Sequence, residues 1–288
     1  MKVRNGAAFD AVLNRQHEWA RRADVLHNGS STPTLAANLF RPLRDETFKE
    51  FESADGAELS GKMRALISSS ALAVNVFDFW RSRPAEIGAC LGIDDVTSLR
   101  FEQKYPLFNG FLPPPSAAKD WTQANVDVEL AIGDGTKAVA LECKFTEPFR
   151  KFEDLKKPFG DTYFRPAARF LWSDMENTYG YSLLLNSRKE QFEHLAPAQL
   201  IKTALASKRK FGIGNFKVIY VWFSVIENQK SIEECAALRS EAKHFCERTM
   251  GEVPLEVLTW QEVFLAIKEA ADANDAAYIS YLQDRYFW

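Results

Sequence analysis

Two short stretches of the chain alternate apolar and polar residues with a period of two, the pattern of half-buried strands. In 126–132, Val126, Val128, Leu130 and Ile132 share one face, and Asp127 and Glu129 share the other. In 137–145, "KAVALECKF", the residues Val139, Leu141, Cys143 and Phe145 lie opposite Glu142 and Lys144. The intervening "GDGT" predicts a tight turn, which makes the two strands antiparallel neighbours. Further strands are expected over 97–103, 216–225 and 254–259. A period of three and four governs 58–80, where Leu59, Met63, Leu66, Ile67, Ala71, Val74 and Phe77 recur, with Pro84 beyond the end. That spacing predicts a helix. Others are expected over 6–27, 178–193, 197–209, 231–249 and 260–271.

Between these elements, "NGSSTPT" (28–34) and the triple-proline stretch "GFLPPPSAAKD" (110–120) predict loops. The aromatic-rich segment 146–176 is irregular, and the aromatic tail "YLQDRYFW" is expected to pack down. A helix, three strands, a helix and a strand, followed by further αβα units, predict an α/β fold around one mixed sheet flanked by helices. Residues 1–54 form a helical N-terminal extension to a domain spanning 55–288.

Composition narrows the function classes. A 46% hydrophobic chain of 288 residues can bury a large core. Its net charge of −3 excludes a molecule that is basic overall, so any nucleic-acid surface must be a local patch. The four cysteines, Cys90, Cys143, Cys235 and Cys246, lack zinc-site spacing and fit a reducing compartment. The N-terminus has no apolar core of signal-peptide length, and no stretch nears the roughly 20 apolar residues needed to span a bilayer. A cytoplasmic protein without a membrane partner is expected. His17, His27, His194 and His244 are scattered and pair with no nucleophile motif.

The polar faces of the two alternating strands carry the candidate chemistry. If both lie on one side of the sheet, Asp127, Glu142 and Lys144 converge. Two carboxylates a few ångströms apart repel, and a hard, oxygen-seeking cation between them relieves the repulsion. A lysine beside such a cation can orient or deprotonate an attacking water. The set suits metal-assisted phosphodiester hydrolysis. A solvated hairpin with cross-strand ion pairs carries the same residues, and spacing alone does not separate the two.

Asp127 in "NVDVEL" and Glu142-Cys143-Lys144 in "LECKF", within this order of elements, resemble the restriction-endonuclease-like PD-(D/E)XK nuclease superfamily over roughly 55–225. Within it, "ELSGKMRALISSSALAVNVFDFW" and "PAQL" are most similar to an uncharacterised bacterial branch. The resemblance implies a restriction-endonuclease-like core and a Mg²⁺- or Mn²⁺-dependent nuclease acting on DNA. It implies that Asp127 and Glu142 bind the metal with the backbone carbonyl of Cys143, and that Lys144 supports the water. It also implies an acid from the first core helix, here Glu58, and a glutamine on the helix after the lysine strand, here Gln199. Val126 stands where many members have proline.

The stretch from His194 to Ile226 contains no acid, and its Lys202, Lys208, Arg209 and Lys210 are candidate phosphate contacts. Cations at a helix C-terminus explain the last three equally well. A non-catalytic module on the same fold, binding nucleic acid or protein, is the alternative function. The sequence leaves oligomeric state open.

Overall fold

The computed structural model describes residues 3–26, 28–54, 58–108, 123–152 and 157–288. The triple-proline loop lies outside them, as do His27 and residues 153–156 of the aromatic-rich segment.

A short strand β1 (Val3–Asn5) leads into α1 (Ala7–Arg22), and α2 (Asp45–Ser53), α3 (Ser69–Phe77) and α4 (Pro84–Cys90) follow. Strands β2 (Val96–Pro106), β3 (Gln123–Ile132) and β4 (Lys137–Cys143) then form an antiparallel meander. The small strand β5 (Arg150–Phe152) pairs with β1. Helices α5 (Glu176–Asn186) and α6 (Pro197–Phe211) carry the chain to β6 (Phe216–Trp222), parallel to β4. Helix α7 (Gln229–Thr249) carries it to β7 (Leu255–Thr259), parallel to β6, and α8 (Trp260–Ala270) and α9 (Ala276–Arg285) close the chain. The five-stranded sheet therefore has the mixed order β2-β3-β4-β6-β7. Each parallel step is bridged by a helical crossover, as parallel pairing requires.

Helix α6 packs along β2, β3, β4 and β6, whereas α3 reaches β3 and β4 and α4 reaches β2 and α8. One core cluster unites these layers and also includes Ala8, Phe9, Val12, Leu39 and Phe51 from the first 54 residues. Helix α1 lies on α7 and α9. Gly6 precedes α1 without a capping side chain. Glu234 of α7 supplies one instead, accepting from Ala7 N at 3.0 Å and Ala8 N at 2.8 Å. A carboxylate there satisfies orphan N–H groups and complements the helix dipole.

The helix expected over 58–80 is only α3. Residues 58–61 form a turn and Lys62–Arg64 a 3₁₀ turn. Gly61 takes φ 155°, and Ser68 accepts from Ala71 N at 3.1 Å, so the helix begins after this cap. Helices expected over 6–27 and 178–193 also end early, at Arg22 and Asn186. Left-handed residues follow each, Asp24 at φ 54° and Arg188 at φ 59°. The aromatic tail does pack down. Tyr286 is buried, and Phe287 stacks on Phe264 at 4.2 Å.

Candidate functional site

In the β3–β4 register, Val128 pairs with Leu141 and Glu129 with Ala140. One further step brings Asp127 opposite Glu142, on the same face of the sheet. Asp127 Oδ2 accepts from Cys143 N at 2.7 Å, so the carboxylate bridges to the neighbouring strand. Lys144 follows directly. Its backbone N–H donates to Val221 O of β6 at 2.7 Å, and its carbonyl accepts from Trp260 Nε1 at 2.8 Å. With the backbone fixed on both sides, Lys144 Nζ stands 3.3 Å from Glu142 Oε2 and 3.7 Å from Asp127 Oδ2. Alternation thus brings Asp127, Glu142 and Lys144 to one point.

Helix α6 closes the site from above. Gln199 Nε2 donates to Glu142 Oε2 at 2.7 Å, and Thr203 Oγ1 donates to Glu142 Oε1 at 2.6 Å. Residues four apart on a helix share a face, so one turn of α6 grips both oxygens. Thr203 is a site residue that sequence reasoning missed, although its spacing from Gln199 is a legible signal.

Glu142 has no solvent-exposed side-chain surface. Burial pushes its pKa up to about 7, with Asp127 adding to the rise and Lys144 and Thr203 opposing it. Burial pulls the Lys144 ammonium down, but Asp127, Glu142 and Glu147 outweigh that, and its pKa lies well above the ordinary lysine value. Lys144 is therefore a firmly held cation. Cys143 points into the apolar face, and burial raises its thiol pKa. Its sulfur is a core atom, which leaves only its carbonyl as a donor to this site.

A second missed residue is Glu102. The β2–β3 register pairs Phe101 with Val128 and Gln103 with Val126, which sets Glu102 opposite Asp127. Its backbone is left-handed, φ 49°, inside a strand. Arg100 and Tyr105, of opposite parity along β2, both reach Glu129, and the alternation breaks at the left-handed residue between them. Burial, then Asp127, Glu58 and Glu142, push the Glu102 carboxyl up to about 8.

Glu58 sits in the turn before α3, not on a helix, 3.7 Å from Lys62 Nζ. Glu129 is wholly buried, held by Arg100 and Lys210 at 2.7 Å each and by the Tyr105 hydroxyl at 2.5 Å. The basic residues of α6 are engaged with the protein. Lys202 Nζ donates to Pro158 O, Lys208 Nζ to the carbonyls of Leu171 and Ser173, and Lys210 Nζ to Glu129. The Arg209 guanidinium lies 5.0 Å from the centre of the Phe170 ring.

Among the described residues, no three His, Cys, Asp or Glu side chains already encircle a common point. The donor chemistry nevertheless fits a hard cation. Asp127 and Glu142 present carboxylate oxygens within 4 Å of one ammonium, and neighbouring acids help push the Glu102 and Glu142 carboxyls up. A divalent cation relieves that mutual repulsion. No helix among the described residues is long and apolar enough to cross a membrane.

The family described as Restriction Endonuclease associating with ARP (REase-ARP) matches residues 8–287. No curated protein and no solved structure matches the chain.

Proposed function

The chain belongs to the restriction-endonuclease-like REase-ARP family, and from that premise we propose that it is a Mg²⁺- or Mn²⁺-dependent nuclease hydrolysing phosphodiester bonds in DNA. The observation that carries this reading is the meeting of Asp127, Glu142 and Lys144 on adjacent strands, with Gln199 and Thr203 holding Glu142 from the crossover helix. Asp127, Glu142 and the Cys143 carbonyl would hold the cation. When bound, it supplies Lewis-acid polarisation of a phosphoryl oxygen and eases loss of a proton from water.

The protein's own groups do the rest. Thr203 and Gln199 fix the orientation of the Glu142 carboxylate. Lys144, raised in pKa by its acidic neighbours, donates hydrogen bonds and is poorly suited to act as a base. It orients the attacking water and meets negative charge that grows on the phosphate. Glu58, in the turn before α3, acts electrostatically on Glu102. Lys202, Lys208, Arg209 and Lys210 would meet the DNA backbone only by exchanging their present protein contacts for phosphates.

One observation favours a second reading. Both Glu142 oxygens already accept hydrogen bonds from the protein, which suits a module that binds nucleic acid without cutting it. Incubating the purified chain with duplex and single-stranded DNA and RNA, with Mg²⁺, Mn²⁺ or chelator, tests both. Cation-dependent cleavage lost in Asp127→Asn supports the nuclease. Binding without cleavage under every condition supports the module.

A further inference from the structure

The nuclease reading assigns two carboxylates to the cation, and the edge strand offers another. We infer that Glu102 is a third carboxylate ligand of the Asp127–Glu142 cation site, contributed by β2. The inference rests on the proposed metal-dependent reading of that site.

Three observations carry it. The register is the same on either side of Glu102, which places this residue of the edge strand across from Asp127. Asp127, Glu58 and Glu142 all act electrostatically on Glu102, in line with that placement. Among the described residues, Glu102 has neither a hydrogen-bond partner nor an ion-pair partner, whereas its neighbours are engaged. Glu58 faces Lys62, Glu129 is held by two cations, and Glu142 by two donors of α6. A half-buried carboxyl with acids on several sides and no protein donor is poorly solvated as an anion. An oxygen-seeking divalent cation is the ligand class that satisfies it. Because no three acids yet encircle one point, Glu102 must rotate toward Asp127 when the cation enters. Its uncommitted carboxyl leaves it free to do so.

Calorimetric titration of the chelator-treated full chain with Mn²⁺ tests this, comparing the unchanged protein with Glu102→Gln and Asp127→Asn. Glu102→Gln is expected to weaken Mn²⁺ binding by about tenfold or more, in the range seen when supporting groups of metal sites are removed. In chelator it should melt no lower than the unchanged chain, since it deletes a repelling carboxyl. If Glu102→Gln does not fold, Glu102→Gly, which accepts a left-handed backbone without penalty, is expected to show the same loss of affinity. Unchanged Mn²⁺ affinity in the folded variant, alongside a loss in Asp127→Asn, overturns the role of Glu102 and leaves the metal-dependent reading standing. No uptake of Mn²⁺ by the unchanged chain overturns both.

Discussion

Thr203 Oγ1 donates a 2.6 Å hydrogen bond to Glu142 Oε1, joining two residues 61 positions apart and tying α6 to the most deeply buried acid of the site. The bond satisfies a carboxylate oxygen that has no access to water. Thr203→Val keeps the shape and removes the donor. It is expected to destabilise the protein by about 1–3 kcal/mol, the usual cost of leaving a buried acceptor unpaired. Cleavage should fall with it, and Thr203→Ser should restore both. Urea denaturation and a cleavage assay on the same preparations check this.

Lys144 separates cutting from binding. Lys144→Ala is expected to slow cleavage by about 10²–10⁴-fold, the range for a positioned group acting on the attacking water. DNA affinity should drop only modestly, with the salt slope changing by about one unit. Single-turnover cleavage and binding measured at several salt concentrations distinguish these effects. Equal losses in both would place Lys144 in ground-state binding.

The two perturbed acids predict a pH dependence of stability. Unfolded, Glu102 and Glu142 lose their protons near the ordinary glutamate value. Folded, they keep them until about 8 and about 7. Between these limits the folded chain binds more protons than the unfolded chain, so this contribution to stability falls as pH rises. Lys144 titrates far above that window and adds no slope there. In chelator, the melting temperature should therefore decline from about pH 5 to about pH 8. Glu102→Gln should flatten the upper part of the decline. Thermal melts across that range check the sign.

Arg285 is buried with no carboxylate partner among the described residues. Its guanidinium donates to Asn38 O at 2.7 Å, Asn38 Oδ1 at 2.5 Å and Tyr281 Oη at 2.7 Å, and it lies 4.0 Å from the centre of the Trp19 ring. It fastens the C-terminal helix to α1 and to the segment before α2. Arg285→Met fills part of the space but orphans these acceptors. A loss of about 3 kcal/mol or more is expected, since several buried polar atoms lose their donor together. Chemical denaturation measures it directly.

Some of this was legible in the chain alone, because it depends on local periodicity. Strand alternation put Asp127 with Glu129, and Glu142 with Lys144, and the "GDGT" turn made the strands neighbours. From there, one face holding Asp127, Glu142 and Lys144 follows with little help from the rest of the fold. The strongly apolar β6 and the long α7 were readable for the same reason, as was Gln199 through the family resemblance. Helix 58–80 failed because apolar spacing does not register a left-handed glycine at 61 or a capping serine at 68. Tertiary structure alone decided which groups occupy each charge. The register of β2 set Glu102 against Asp127, and the crossing of α6 over the sheet delivered Thr203 to Glu142 and Lys210 to Glu129. It likewise turned a run of apparently free cations into partners of carbonyls and a buried acid. A sequence records how residues repeat along one element, but the pairing of charges across elements is set by packing distance, which forms only when helix and sheet close on each other.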